Sequence, residues 1–383
     1  MIREMKTKQR LYHTIPHGVK ACCLALLTLV SACGGQDEPS VEKEDEPQLS
    51  DKEISLDVGG WKPMTESRAV VFENLDDLKD GAKGGGDFTL HAYIQESGQT
   101  FIDGTRVHYH KPIDGTTPSW EFYADGDIFH YYWPHQGKVD FFAYMPWNKS
   151  NKQNIQNISY SKDKDTGITG ISFSCQMQAT TTDVNDASGQ ETVVAYVTDR
   201  DKSTGVVEML FVHPYSAVYF ELKQAHRDLK INWISFNNVH LQGETTLDAT
   251  IDANTVIQWE PTDDGEGTFT IPVGKTIPSE INFGAPIGGP YLVMPQAFSK
   301  GANNTTDDDV TITVNYTWDD GLNETNDTKE FTLPIQTQSI SEWTAGKKYT
   351  YVLSLGDNQE EILFQVKVDP WIWDGYKHEI DVE

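Results

Sequence analysis

From Ile54 onward, short segments alternate apolar and polar residues, the pattern of half-buried antiparallel β-strands. They are rich in Val, Ile, Thr, Tyr and Phe, as in DFTLHAYI (87–94) and VDFFAYM (139–145). Clusters of Gly, Pro, Asn and Asp separate them, and the Asp-Gly pairs at 103–104 and 125–126 predict turns. No long stretch keeps the 3.6-residue period of a helix. The sequence therefore predicts an all-β protein built from antiparallel β-sandwiches.

Two polar interruptions divide this β-rich region. The stretch TTTDVNDASGQE at 180–191 lowers the apolar density, and DRDKSTG at 199–205 predicts a turn after the short strand TVVAYV. Domain boundaries fall in polar segments that few contacts cross. We therefore expect an N-terminal β-sandwich domain at 54–204 and a C-terminal one at 205–383.

The first 32 residues have the layout of a secretory signal. Basic residues precede an apolar run at 21–30, and two small residues lead to Cys33. The run is shorter than the roughly 20 residues that a membrane-spanning helix needs. Residues 30–33, Val-Ser-Ala-Cys, resemble the lipobox of bacterial lipoproteins, which implies a lipid on Cys33 and a mature chain that starts there. The alternative is a plain secretory signal with an incidental cysteine.

Residues 33–53 are predicted to be a disordered acidic tether. The stretch has no aromatic residue and little apolar content, so it cannot bury enough surface to fold. Asp37 and Glu38 resemble the export signal that sends Bacteroidetes lipoproteins to the outer face of the outer membrane. That resemblance implies a lipid-anchored, surface-exposed protein of the cell outer membrane. A solvated linker with no such signal is the alternative.

Charge and cysteine content narrow the class of protein. The chain has 30 basic and 58 acidic side chains. Five basic residues and one acidic residue lie in the first 32, so the remainder has 25 basic and 57 acidic groups and a net charge of −32. This charge repels nucleic acid and anionic membrane surfaces. Cys175 is the only cysteine after Cys33, so we expect no internal disulfide and a fold held by burial alone.

No enzymatic motif stands out, and we predict a non-enzymatic protein without a cofactor or metal. GxSxG, HExxH and GxxxxGK[ST] are absent, as is CxxC after residue 33. Cys175 alternates with apolar neighbours, which indicates a buried strand residue rather than a nucleophile. His108 and His110 share a strand face but have no evident third metal ligand. Two acidic loops do not match the EF-hand spacing and are interpreted as solvated loops rather than Ca²⁺ sites: Asp263, Asp264 and Glu266, and Asp307, Asp308 and Asp309.

The ten Trp residues raise a carbohydrate-binding hypothesis, because flat aromatic faces stack on sugar rings. The best candidates are Trp133, Trp147, Trp371 and Trp373. The alternative is core packing, since large β-sandwiches fill their cores with aromatic side chains. We take core packing as the default.

Several segments, in order, resemble the fimbrillin (Mfa-like) proteins of Bacteroidetes, the subunits and accessory proteins of type V pili. They are DFTLHAYI (87–94), WPHQGKVDFFAYMP (133–146), ETVVAYVTD (191–199), VEMLFVHPYSAVYFEL (207–222), WTAGKKYTYVLSLG (343–356) and FQVKVDPWIWDGYKHEIDVE (364–383). The resemblance implies two tandem transthyretin-like antiparallel β-sandwich domains that assemble by donor-strand exchange. The implied partners are other pilus subunits or copies of the chain itself, with a host or bacterial surface ligand for the fimbrium.

The resemblance also implies a processing site. In the family an Arg-specific protease cuts near the start of the first domain, and the strand before the cut leaves. Here SRA at 67–69 resembles the family's TRA-like motif, with Ser67 in place of Thr, so we expect cleavage between Arg68 and Ala69. The displaced strand would carry Ile54, Leu56 and Val58, and an incoming strand would gain a backbone ladder and apolar burial. The alternative is that Arg68 is an exposed loop residue that no protease cuts.

The chain ends in HEIDVE, with Ile380 and Val382 on one face of an alternating strand. This segment fits a donor strand, and the alternative is a terminal strand paired within its own sandwich. The sequence thus predicts a fimbrillin-like surface lipoprotein, a structural or adhesive subunit of a type V pilus. The rival is a glycan-binding outer-membrane lipoprotein of a nutrient-uptake system, which would keep the lipid on Cys33 and expose Trp residues to sugar.

Overall fold

A computed structural model of the chain describes residues 47–58, 75–79, 81, 85–113, 115–124, 126–147, 155–162, 169–176, 191–224, 229–252, 254–277, 285–299, 309–319, 324–333, 340–355 and 362–370. Among the predicted site residues, those outside these ranges are Cys33, Asp37, Glu38, Arg68, Ala69, Asp307, Asp308, Trp371, Trp373, Ile380 and Val382.

The described residues are almost entirely β-structure. One short helix, α1 (Leu75–Lys79), accompanies 24 strands. The strands are β1 (Leu49–Glu53), β2 (Ser55–Val58), β3 (Asp87–Ile94), β4 (Thr100–His110), β5 (Ser119–Ala124), β6 (Asp127–Phe129), β7 (Tyr132–Pro134), β8 (Val139–Met145), β9 (Gln156–Lys162), β10 (Thr169–Gln176), β11 (Val193–Arg200), β12 (Val206–Met209), β13 (Ser216–Gln224), β14 (Leu229–Val239), β15 (Gln242–Leu247), β16 (Glu260–Pro261), β17 (Gly267–Ile277), β18 (Ala285–Val293), β19 (Gln296–Ala297), β20 (Thr311–Asp319), β21 (Glu324–Thr332), β22 (Glu342–Trp343), β23 (Lys347–Leu355) and β24 (Ile362–Pro370). No helix among these residues is long and apolar enough to cross a membrane.

The N-terminal strands form one eight-stranded sheet, in the order β11-β8-β3-β4-β5-β2-β12, with β6 paired to β5. The sheet curls until its two ends come together: β11 contacts β12, and Val212, beyond the end of β12, exchanges backbone hydrogen bonds of 3.0 and 2.8 Å with Val194 of β11. This closed sheet, the N-terminal barrel, encloses a core that includes Phe88, Trp120 and Phe141. It therefore covers its core from both sides, as the two layers of a sandwich do.

A second sheet, in the order β16-β15-β10-β9, covers the outer side of the barrel. Tyr93 of β3 stacks on Tyr160 of β9 with ring centroids 4.8 Å apart, and Phe142 of β8 lies 5.2 Å from Phe173 of β10. All seven residues of β8 are buried, since this strand has a hydrophobic layer on each face. Coverage on both faces explains why every residue of VDFFAYM except Asp140 is apolar or aromatic.

The remaining strands form a C-terminal sandwich of two sheets. One has the order β18-β13-β23-β24 and the other β17-β14-β20-β21. Their inner faces share a core in which Phe220 of β13 lies 6.0 Å from Phe236 of β14, and Trp343 lies 5.6 Å from Phe236. The short pair β19–β22 lies at the side of this core, where Phe298 packs against Trp343 at 5.2 Å.

The all-β prediction is confirmed, and most ladders are antiparallel. Two ladders are parallel, β2 with β12 and β13 with β23. The strands predicted at 87–94 and 139–145 have the observed bounds of β3 and β8. The predicted turn at 103–104 is wrong, because both residues lie within β4, where Gly104 has φ 61° and the register to β3 shifts. A β-bulge accepts the same left-handed glycine as a turn.

The predicted domain limits also need correction. The boundary at 204/205 does not separate the sheets, because β12 belongs to the N-terminal barrel and β10 pairs with β15 over six residues. The segment after β12 ties the halves further, since His213 Nδ1 hydrogen-bonds the Glu191 carboxylate and both side chains are buried. The predicted tether at 33–53 ends too late, because residues 49–53 form β1 and pair with β7.

Candidate functional site

The first described segment of the chain crosses from one sheet to another. Leu49 of β1 pairs with Pro134 of β7, and the backbone of Gln48 accepts a 2.7 Å hydrogen bond from the His135 N–H. The Ile54 N–H then donates to the Tyr131 carbonyl at 2.8 Å, and the next residues enter the N-terminal barrel as β2. The switch at Ile54 divides this segment into an exposed part and a buried part.

β2 fills the gap between β5 and β12. It runs parallel to β12 over four residue pairs, Ser55–Val58 with Val206–Met209. Its antiparallel ladder to β5 has one pair, Leu56 with Trp120. A four-residue strand with a single pair on one side has few backbone hydrogen bonds to lose when it leaves.

The apolar side chains of β2 and of Ile54 just before it, in contrast, are almost completely buried. Ile54, Leu56 and Val58 are 2%, 7% and 2% exposed, while Ser55 and Asp57 between them are exposed. The predicted alternation of this strand is therefore confirmed, and its displacement remains a prediction. Burial of such a side chain is worth about 1.5–3 kcal/mol, so the three together hold β2 mainly through the hydrophobic effect.

Aromatic and aliphatic side chains of the barrel core surround this position. Val207 and Met209 extend from β12, Trp120 and Phe122 from β5, and all four are buried. Phe88 packs against Trp120 with ring centroids 5.1 Å apart. Without β2, these strands would present an apolar groove with two unpaired edges, the arrangement that binds an added strand.

The polar contacts of this segment lie at the surface. Lys52 Nζ donates to the carbonyls of Lys202 and Thr204 at 2.6 and 3.0 Å, and Glu53 contacts His130. Exposed ionic contacts of this kind contribute about 0–1 kcal/mol each. They fix the register of the segment but add little to its retention.

After β2 the described chain resumes at α1. Leu78 is 2% exposed and belongs to the barrel core, and its carbonyl accepts a 2.6 Å hydrogen bond from Gly86. The predicted cleavage site, Arg68 and Ala69, falls between β2 and α1, outside the described residues. Leu78 therefore anchors the chain on the downstream side of that site.

Arginine is scarce in this chain. After Cys33 it occurs at 68, 106, 200 and 227 only. Arg106 lies within β4, donates to both carboxylate oxygens of Asp87 at 2.6 and 2.9 Å, and lies 4.9 Å from the Tyr123 ring and 4.6 Å from the Trp147 ring. Arg200 is the last residue of β11. Backbone held in a sheet must open before a protease can bind it, which disfavours cleavage at Arg106 and Arg200 in the folded chain.

The tryptophans proposed for glycan binding do not form a platform among the described residues. Trp133 is fully buried and packs against Phe141 with ring centroids 5.7 Å apart. Trp147 is half-buried and stacks on the Arg106 guanidinium. Core packing is therefore confirmed for Trp133, and Trp147 belongs to the cluster around Arg106.

The other candidate residues have local roles. His108 Nδ1 hydrogen-bonds Asp87 at 2.9 Å, and no group of three metal-ligating side chains occurs within the part of the chain that the structure describes. The Asp263 carboxylate accepts hydrogen bonds from His240 Nδ1 and from the N–H groups of Leu241, Gln242 and Gly265. These hydrogen bonds hold the Asp263 loop against the residues at 240–242. Cys175 is 1% exposed in β10, and burial raises the pKa of its thiol to about 12.

One part of the site was missed from the sequence. β12 was predicted as a strand of the second domain, yet it is the parallel neighbour of β2. Its alternation, with Val207 and Met209 buried and Val206 and Glu208 exposed, is visible in the sequence. Alternation identifies a strand and its inner face, but not the strand with which it pairs.

Comparisons with known proteins agree with this architecture. The family model described as "Fimbrillin-like" matches residues 84–371. A fimbrial protein from Bacteroides vulgatus is 17% identical, with a TM-score of 0.53, and the match covers 84% of this chain and 100% of that chain. At that identity the likeness concerns the fold.

Two further solved structures match at lower scores. The tip fimbrial protein Mfa3 from Porphyromonas gingivalis, with C-terminal truncation, has a TM-score of 0.36 at 10% identity over 83% of this chain and 100% of that one. A fimbrial assembly protein from Parabacteroides distasonis has a TM-score of 0.32 at 10% identity over 74% and 91%. A comparison with curated protein sequences finds no match. Because the family model covers most of the chain, this protein belongs to the fimbrillin-like family.

Proposed function

We propose that this protein is a structural or adhesive subunit of a type V pilus that joins its neighbours by strand exchange at the position of β2. The observation that carries the proposal is the contrast within β2 itself. Leu56 and Val58 of β2, with Ile54 just before it, lie in the barrel core, yet the ladder of β2 to β5 has one residue pair. A replacement strand would recover the same burial and extend the ladder on both sides.

In this proposal the chain reaches the cell surface as a lipoprotein anchored to the outer membrane through Cys33. Cleavage after Arg68 then separates the β1–β2 segment, together with the lipid, from the rest of the subunit. The scarcity of arginine supports a specific cut, since two of the four arginines after Cys33 lie in strands. The terminal segment with Ile380 and Val382 would fill the groove of the next subunit, either a copy of this chain or a sister pilin.

N-terminal sequencing of polymerised surface material tests the cut. We expect Ala69 as the first residue, and we expect Arg68→Ala to leave lipidated monomer at the surface. Arg227→Ala is the matched control and should polymerise normally. Polymer that grows from the Arg68→Ala protein would refute processing at this site, and an intact lipidated start at Cys33 would favour the glycan-binding rival or an anchor subunit.

Truncation tests the donor segment separately. A chain that ends at Glu379 should keep its fold, as judged by circular dichroism, but should not extend the polymer. Glu383→Ala keeps Ile380 and Val382 and serves as the control. Polymer growth by the truncated chain would show that another segment fills the groove.

A further inference from the structure

The outer face of the sheet β17-β14-β20-β21 has an unusual composition for a surface. Three consecutive cross-strand rows, centred on Asn237, Ser235 and Trp233, contain twelve residues. Nine are Thr, Ser or Asn, and Glu330 is the only charged one. The whole chain is 23% charged, so about three charged residues would be expected among twelve. Solvated sheet faces usually carry such charges.

The middle of this face is a shallow depression of about 190 Å³ lined by Trp233, Ser235, Asn237, Thr270 and Thr313. Although they are polar and lie on the outer face, Ser235 and Thr313 are only 4% and 8% exposed. Trp233 forms the apolar side of the depression, and Pro272 is its cross-strand neighbour on β17. The volume is below the roughly 300 Å³ of the smallest drug-sized sites, so it suits a single small ring.

Hydrogen bonds within the floor use up most of its donors. Both N–H groups of the Asn237 amide donate, to the hydroxyls of Thr311 and Thr313 at 3.1 and 2.8 Å. Those two hydroxyls donate in turn to Oε2 of Glu330 at 3.3 Å. Ser235 Oγ donates its proton to Asn237 Oδ1 at 3.0 Å. In the 2.9 Å hydrogen bond between Ser235 and Thr270, Thr270 Oγ1 is therefore the donor and Ser235 Oγ the acceptor.

The atoms left over are acceptors. Thr270 Oγ1 and the Oε1 oxygen of Glu330 keep lone pairs on the two sides of the floor. A ligand for this surface must therefore bring several donors, present a flat apolar face to Trp233, and carry no negative charge. A neutral pyranose has hydroxyl donors around its edge and C–H groups on its faces, and its ring meets all three requirements.

We propose that this surface, the Trp233 shelf, is a binding site for one neutral hexopyranose unit of a surface glycan. Trp233 stacks on the C–H face of the ring, and Glu330 Oε1 and Thr270 Oγ1 accept its hydroxyl protons. The locked floor costs little side-chain entropy when the sugar binds, because its rotamers are already fixed by mutual hydrogen bonds. The site lies on the C-terminal sandwich and does not depend on strand exchange at β2.

The test is a titration of the purified full-length chain with the methyl glycosides of glucose, galactose and mannose, read by saturation-transfer difference NMR. We expect transfer to the ring C–H protons of at least one glycoside. Trp233→Ala should weaken its binding about tenfold, the loss of one aromatic contact. Glu330→Gln should weaken it about threefold through loss of a charge-assisted hydrogen bond.

Thr332 lies on the same face outside the depression. Thr332→Ala is therefore the control, and it should bind the glycoside like the parent chain. If Trp233→Ala does not fold, the test uses Trp233→Phe, which keeps an aromatic ring, and Glu330→Gln, which keeps the side-chain volume.

The proposal is overturned if no glycoside shows transfer at its solubility limit, if transfer is unchanged in both variants, or if only a cation such as butylammonium binds. It is also overturned if the shelf proves to be a contact between copies, seen as self-association that Trp233→Ala abolishes. Polymerisation at β2 should be unaffected by either variant, so failure here leaves the proposed function standing.

Discussion

In the N-terminal barrel, β2 pairs with β12 over four residues and with β5 through one. In the C-terminal sandwich, β14 pairs nine residues with β17 and eight with β20. Both strands bury apolar side chains in their cores, but β14 is also fixed by a long ladder on each side. The difference shows that one core is completed by a strand with few backbone pairs, whereas the central strand β14 of the other has a long ladder on each side.

A charge in the barrel core should have the largest effect on this comparison. Leu56→Asp places a carboxylate at a position that is 7% exposed, and burial of an unpaired charge costs several kcal/mol. We expect the free energy of unfolding to fall by roughly 4 kcal/mol or more, measured by urea denaturation. The matched control is Ser55→Asp on the exposed face of the same strand, which should change it by less than about 0.5 kcal/mol. Equal effects of the two changes would contradict the inward orientation of Leu56.

Loss of core packing in each half tests whether an added peptide can restore only one of the two cores. Phe236→Ala should cost about 3–5 kcal/mol, and an added peptide of residues 47–58 should not restore it. A chain that begins at Ala69 should be stabilised by the same peptide, by about 2.7 kcal/mol at a hundredfold excess over its Kd. The measurement is the thermal midpoint with and without peptide. A peptide with Leu56→Asp is the control, and equal stabilisation by both peptides would contradict a specific groove.

One aspartate in each half should make the free energy of unfolding depend on pH, and the two dependences should have opposite signs. Burial raises the pKa of Asp140 in β8 above its ordinary value of 3.8, against the hydrogen bonds from Asp199 N–H and Tyr160 Oη. The folded state then holds this proton to higher pH, so the unfolding free energy falls as pH rises from 3.8 through the raised value. Asp140→Asn should remove that decline from the urea-denaturation profile. An unchanged profile would contradict the assignment.

Asp263 in the C-terminal half should show the reverse trend. Burial acts to raise the pKa of Asp263, but hydrogen bonds from His240, Leu241 and Gln242 outweigh it, and the pKa lies below 3.8. Its contribution is complete above 3.8 and is lost as pH falls through the lowered value. In Asp263→Asn this acid-side loss should disappear, as followed by denaturation between pH 5 and the acid limit of folding. A loss of the same size in the variant would assign it to other groups.

The smallest expected effect concerns the sheet that joins the halves. Cys175 lies in β10, which pairs with β15 across the predicted domain boundary, and its thiol has a pKa of about 12. Because the thiolate is the reactive form, the folded protein should not react with a disulfide reagent at pH 8, whereas the chain in guanidinium should react fully. Rapid reaction of the folded protein would mean that β10 separates from β15, and that the halves are more independent than the ladder indicates.

Strands rich in apolar and aromatic residues were predictable from the sequence. β3 and β8 match the predicted ranges because both bury side chains throughout their length. β1 was missed because LSDKE has no apolar alternation, and four of its five residues are exposed. It is a strand only because its backbone pairs with β7, a contact that depends on residues about 80 positions away. The domain boundary failed for the same reason, since pairing partners are a property of the whole fold.

The candidate site was predicted in part. Burial of Ile54, Leu56 and Val58 followed from their alternation, but the parallel pairing of β2 with β12 did not, because a period of two is the same for both ladder directions. Trp233 was not singled out, since an aromatic in a strand has packing as its default explanation. The register that places it on one face with Ser235, Thr270 and Glu330 depends on four strands.

The direction of β2 has a mechanical consequence. β2 lies between β5 and β12 with its axis along both, so a pull along β2 acts parallel to the sheet and across its hydrogen bonds. Such a strand cannot peel away one pair at a time. Its backbone bonds share the load, and the buried side chains of Ile54, Leu56 and Val58 must be withdrawn together, so the rate of forced opening is set by one concerted barrier. The same short strand that has few bonds to lose at rest is thus placed where tension is resisted by all of them at once.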